Sequence, residues 1–261
     1  MGTRPAITGP GFMNIGLYQS ASALSALERW QDSVSQNITS SQTTGYRKRT
    51  ITFSAQQAGE IHPDAKAKVG RDNGVPLIFP KINTGINFIT GETQPTRREL
   101  DVAIQGDGFF EIQMEDGTRT YTRSGEFRMR PDRTLVTSTG NEVLSTGESP
   151  ITLLNNGSPI TVNRDGTIFQ GETSLGKLSV QRFADTSQLI PIAGGFFVAP
   201  EGVEPEGVDE PELLQGYLEG SNVTPLREMV DLVLISRAYE ANQKIINTVD
   251  DQMKKTLDAL G

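Results

Sequence analysis

Apolar positions change their spacing twice along this chain. Leu17, Ala21, Leu24, Leu27, Val34 and Ile38 recur at three- and four-residue steps, which predicts an amphipathic helix with one narrow apolar seam. The other side of that segment is Ser, Gln, Glu, Arg and Asp, and Gly45 in SSQTTGYRKR is a suitable stop. Near the other end, Thr224 before Pro225 fits an N-cap followed by proline at the first helical position. Leu226, Val230, Val233, Leu234, Ala241, Ile245, Val249, Met253, Leu257 and Leu260 then form a second stripe. A helix of roughly 35 residues is about 50 Å long, too long for the interior of a small domain. Its stripe needs a partner, either the N-terminal helix or another copy of the chain.

Between the helices the period becomes two. Leu100, Val102 and Ile104 alternate with polar residues, as do Phe110, Ile112 and Met114. Turn signals follow closely at Glu115-Asp116-Gly117, Ser124-Gly125, Pro131-Asp132, Gly140-Asn141, Asn156-Gly157 and Asp165-Gly166, so the strands are short and antiparallel. The organisation predicted is α+β: a leader over 1–12 expected to be disordered, a helix over 13–45, an extended arm with some strand over 46–99, a β-rich middle domain over 100–215 and a helical end over 216–261.

Composition narrows the chemistry. The 261 residues include 27 Gly and 14 Pro and carry a formal net charge of −8. That balance argues against general affinity for nucleic acid, which depends on clustered Lys and Arg. With no cysteine there is no disulfide, thiolate catalysis or cysteine-ligated zinc. No run approaches the roughly 20 apolar residues of a membrane span, so membrane insertion is not expected. The opening MGTRPAITGPGF lacks the charged start and apolar core of a cleaved secretory signal.

Candidate sites are few. GETSLGKL, Gly171 to Leu178, has the spacing of a phosphate-binding loop, but Leu178 replaces the magnesium-coordinating Ser or Thr and LSVQRF alternates like a strand, which predicts a hairpin turn. The sole histidine, His62, sits in the arm with no triad or zinc-ligand set around it in sequence. Asp250-Asp251 reads as a solvated helix face, and Asp101, Asp107 and Glu111 lack the ladder of a calcium loop. Tyr46-Arg47-Lys48-Arg49 reads as a charged junction after a helix. No catalytic residue, cofactor or metal is expected.

Three blocks carry a resemblance. LDVAIQGDGFFEIQ with DGTRTYTRSGEFRMRPDRTLVTSTGNEVL, the C-terminal GYLEGSNVTPLREMVDLVLISRAYEANQKIINTVDDQMKK, and the N-terminal SQNITSSQTTGYRKR resemble, in the same order, bacterial flagellar rod and hook proteins. They cover most of residues 13 to 254. The motif residues are Gly45 and Tyr46, then Gly106, Asp107, Gly108, Phe109 and Phe110, then Leu218, Glu219, Gly220, Ser221, Asn222 and Val223. Ser40 and Ser41 stand where that family has an Ala-Asn-Val-like run, and Tyr46 where it has Phe. The chain's length resembles the rod members and is short for a hook subunit.

The resemblance implies a non-enzymatic axial subunit of the basal-body rod. Its two terminal helices would pair as a coiled coil lining a helical tube, with the β domain as outer wall. It would assemble with its own copies and other axial proteins, and reach the periplasm-spanning rod through the flagellar type III apparatus. The expected assembly seam is Leu17, Leu24, Leu27, Val34 and Ile38 with Leu226, Val230, Val233, Ile245 and Val249. A hook-type subunit is the first alternative, and a ligand-binding β domain with oligomerising helices the second. Within the GDGFF block, Gly106-Asp107-Gly108 reads as a strand reversal without chemistry of its own.

Overall fold

The computed structural model describes residues 10–61 and 75–258. His62 and residues 1–9 of the expected leader lie outside that range. The described chain is α+β and separates into two compact units. One holds the described residues up to Ile38, those within Arg49–Gly85 and those from Pro225; the other holds Thr39–Lys48 and Ile86–Thr224.

In the first unit, α1 spans Pro10–Thr39 and α2 spans Pro225–Asp258. From Leu17 to Thr39 there is no glycine or proline, and α2 has proline only at its first position, where the absent N–H leaves no hydrogen bond unmade. The helix begins at Pro10 rather than Met13 and ends six residues before Gly45. Asn37 Nδ2 on α1 donates to Glu228 Oε2 on α2 (2.9 Å), and Asn242 Nδ2 on α2 donates to the Ser20 carbonyl (2.9 Å). The order of these contacts is reversed along the two helices, so they run antiparallel here.

These contacts settle which face of α2 is covered within the chain. Glu228 and Ile235 are each 1 % exposed, whereas Val230, Val233 and Ile245 are 53–54 % exposed and Leu226 is more open still. At about 100° per residue, positions two apart lie on nearly opposite sides of a helix. Among the described residues the stripe of Leu226, Val230, Val233 and Ile245 therefore stays largely open; the internal line uses a buried carboxylate and an amide as well as Ile235. Val249 is partly covered. On α1, Val34 is buried, Leu24, Leu27 and Ile38 are partly buried, and Leu17 lies on the helix with its side chain outside the described part.

The same unit contains a two-stranded ribbon, Arg49–Ile61 with Val75–Ile86. It is joined to α1 at Asn37, whose Oδ1 accepts from Arg49 N–H (2.8 Å) and whose Nδ2 donates to the Arg49 carbonyl (2.9 Å). Trp30 meets Phe53 edge-on at 5.5 Å.

The second unit is built of short antiparallel strands. The central strand Phe109–Gln113 pairs with Arg119–Thr122, with Glu142–Val143 and with Val180–Arg182. Its side chains alternate between two cores. Phe110 and Ile112 enter the larger one with Val102, Leu135, Ile168, Leu178 and Leu213, while Phe109 joins Tyr121, Phe183, Leu189 and Phe197. A strand apolar on both faces belongs inside a domain, which is why both phenylalanines are buried. The turns are closed by side chains: Asp116, Asp132 and Asp165 each accept a hydrogen bond from the amide two residues on. Residues Thr167–Gln170 and Thr173–Lys177 form a hairpin, so GETSLGKL is the hairpin's turn at Gly171-Glu172 and its second strand.

Candidate functional site

A buried charged centre of the second unit is built around the carboxylate of Glu219, at the end of the strand Tyr217–Glu219. Its Oε2 accepts from Arg123 Nε (2.9 Å) and its Oε1 from the Gly91 amide (2.9 Å), while Arg47 Nη1 lies 2.5 Å from Oε1. All three charged side chains are 2 % exposed. Burial pulls the Arg123 guanidinium below its usual value; Glu219 acts in the opposite direction, and Arg47 adds to the fall. Glu219 thus serves two guanidiniums.

Arg123 also explains Gly106-Asp107-Gly108. Its Nη1 donates to the Gly108 carbonyl (2.6 Å), and its Nη2 to those of Gly106 (2.8 Å) and Ile104 (3.4 Å). One guanidinium therefore holds three carbonyls on one side of the turn, which requires the positive φ of 84° at Gly106 and 136° at Gly108. A Cβ at Gly108 would also meet Val180. The turn passes from the strand Val102–Gln105, which pairs with Glu212–Gln215, to the strand Phe109–Gln113 of another sheet, so it is not the reversal within one sheet expected from sequence, and its backbone is held by the buried Arg123.

The other motif residues close around the same centre. The Gly45 amide donates to the Glu219 carbonyl (2.8 Å), and a Cβ there would run into the backbone of Arg123 and Ser124. Asn222 joins three segments: its Oδ1 accepts from Lys48 N–H (2.7 Å), and its Nδ2 donates to the carbonyls of Asn87 and Ile89 (both 2.8 Å). Its own amide donates to the Tyr46 carbonyl, and Gly220 N–H to that of Glu92. Ser221 Oγ accepts from the Val223 amide, and Tyr46, Leu218 and Val223 are buried. Phe109 stacks edge-on with Phe88, Phe183 and Phe197 at 5.7–6.0 Å, and Phe110 with Phe127 at 5.1 Å.

Sequence reading passed over Arg47 and Arg123. Arg47 stands in a cluster that reads as a charged junction after a helix, and Arg123 in a strand-turn segment. The available signal was charge balance: Glu219 is the only acid in LEGSNV, and its buried strand position requires a cation.

Among the described residues, no group of His, Asp and Glu is arranged to hold a metal, and no helix is long and apolar enough to cross a membrane. Asp250 and Asp251 are exposed. The arrangement as a whole is a scaffold: three sequence-distant segments locked by one buried ion-pair centre, with a helix that leaves an apolar stripe open.

The comparisons with known proteins agree with that class. Residues 103–170 match the model described as flagellar hook protein FlgE/F/G D1 domain, and residues 214–259 that of the flagellar basal body rod FlgEFG protein C-terminal. The chain is 32% identical over 251 residues to the flagellar basal-body rod protein FlgF of Caulobacter vibrioides, covering 95% of this chain and 99% of that one. It is 33% identical over 256 residues to FlgG of Borreliella burgdorferi, covering 91% and 95%. Against FlgG of Agrobacterium fabrum it is 31% identical over 259 residues, covering 89% and 94%. The chain belongs to the flagellar basal-body rod protein family.

Proposed function

We propose that the chain is a structural subunit of the bacterial flagellar basal-body rod, polymerising with its own copies and other axial proteins into a helical tube that transmits torque from motor to hook. It acts without catalysis or cofactor and is exported through the flagellar type III apparatus. The reading is carried by the open stripe on α2, Leu226, Val230, Val233 and Ile245, in a chain that aligns almost end to end with rod proteins. Large side chains exposed along one helix face mark an interface. Contacts of a helical face that do not close into a ring propagate as a filament. The antiparallel contacts between α1 and α2 support a helical assembly domain.

The test is electron microscopy of basal bodies from cells lacking this chain. The reading expects rods that stop short of the hook and are completed when the wild-type chain is restored. Complete hook-basal bodies in the deletion strain would overturn it.

A further inference from the structure

Two buried guanidiniums share one carboxylate at the centre of the second unit. Arg123 fills its donors on Glu219 and the turn carbonyls. Arg47 does not: its Nε has no hydrogen-bond partner among the described residues, and its Nη1 touches Glu219 without the alignment of a hydrogen bond. Buried donors are nearly always matched, and a buried charge without a counter-charge is costly. Arg47 thus has two buried donor atoms without a hydrogen-bonded acceptor, and Glu219 supplies one negative charge for two guanidiniums.

A cleft of about 250 Å³ opens beside it, lined by Arg47, Arg123, Arg182, Phe88, Phe109 and Phe183. Such a volume far exceeds the roughly 10–15 Å³ that one water needs. Arg182 is half-exposed and pairs with Glu206 (2.8 Å), which is more open still. A surface pair of this kind holds weakly and can exchange partners. Asp107 also lines the cleft; it acts on Arg123 and Arg182 at a distance and makes no ion pair with either.

We propose that this cleft is a socket for a carboxylate side chain of a neighbouring subunit. Arg182 meets the carboxylate at the mouth, Arg47 supplies the unmatched charge beneath it, and the three phenylalanines cover its methylenes. The aromatic walls favour the aliphatic stem of Glu or Asp over a fully hydrated phosphate. With 32 acidic against 24 basic residues, copies of this chain present carboxylates in excess. The proposal rests on the rod reading above.

The experiment is a titration of the full-length monomer, followed by the ¹⁵N–¹H signals of arginine Nε, with N-acetylglutamate N-methylamide and separately with inorganic phosphate; sodium chloride controls for ionic strength. The Arg47 and Arg182 signals should shift saturably with the glutamate derivative. Arg182→Gln, at a half-exposed position, should keep its circular dichroism and bind about tenfold more weakly, the loss expected for one charge-assisted hydrogen bond. Absence of a saturable shift, or unchanged binding in R182Q, overturns the socket. Tighter binding of phosphate overturns the side-chain assignment. A monomer that binds the derivative but never assembles keeps the socket and removes the rod reading; assembly without any response to the derivative does the reverse.

Discussion

Glu219 lies 2.5 Å from Arg47 Nη1 and 2.9 Å from Arg123 Nε, with all three side chains buried. One carboxylate therefore ties together the segment after α1, the strand-turn at Arg123 and the segment before α2. Glu219→Gln keeps the shape and removes the charge, leaving two guanidiniums buried without a counter-ion. Breaking a buried pair in this way costs about 3–5 kcal/mol. Urea unfolding followed by circular dichroism checks this; a loss below about 1 kcal/mol, the range of surface pairs, would mean that the centre does not hold the unit together.

The two glycines of GDGFF differ in what they tolerate. Gly106 has φ 84° with open space at its Cβ position, whereas at Gly108 (φ 136°) a Cβ would lie 2.8 Å from Val180 Cγ1. Gly106→Ala should cost about 1–2 kcal/mol, the backbone penalty alone. Gly108→Ala should cost more, and Val180→Ala in the same chain should recover part of the excess. The double-mutant cycle measures that coupling; strict additivity would contradict the packing described.

Acid should weaken the second unit in a defined window. The Asp132 carboxyl is drawn down to about 2, by Arg130 first and then by the Thr134 amide. The Thr118 and Thr167 amides lower Asp116 and Asp165, and Arg119 lowers Glu148. A carboxyl lowered in the folded state stabilises fully above its unfolded value, 3.8 for Asp and 4.5 for Glu. That stabilisation is lost as pH falls toward about 2. Urea midpoints should therefore drop across this range. In Asp132→Asn the protons taken up on unfolding near pH 3 should fall by up to about one; an unchanged uptake would show that Asp132 is not held as described.

Much of this architecture was legible from local signals. Period-two alternation located the strand through Phe110 and Ile112, and Asp-Gly and Pro-Asp pairs located turns that aspartate side chains do close. The two helices were visible as stripes. The choice of face on α2 was not, because the helix has two. Leu226, Val230 and Val233 make the more apolar pattern, yet the chain covers the line through Glu228 and Ile235, where a carboxylate is matched by Asn37. Hydropathy cannot register a buried polar pair. For the same reason Arg47 reads only as part of a charged junction after a helix: its partner, Glu219, lies far along the sequence, and only the fold brings them together.

The central claim is that the open face of α2 builds the rod, and it is tested most directly by Val230→Asp with Val233→Asp as the only copy of the chain in cells. Both positions are about half exposed in the monomer, so the purified variant should match the wild-type melting temperature within about the scatter of surface substitutions. An aspartate pair in an apolar interface should nevertheless stop assembly. The account predicts, by electron microscopy, exported and folded subunits with rods that end before this subunit's segment. Complete rods of normal length in those cells would contradict it.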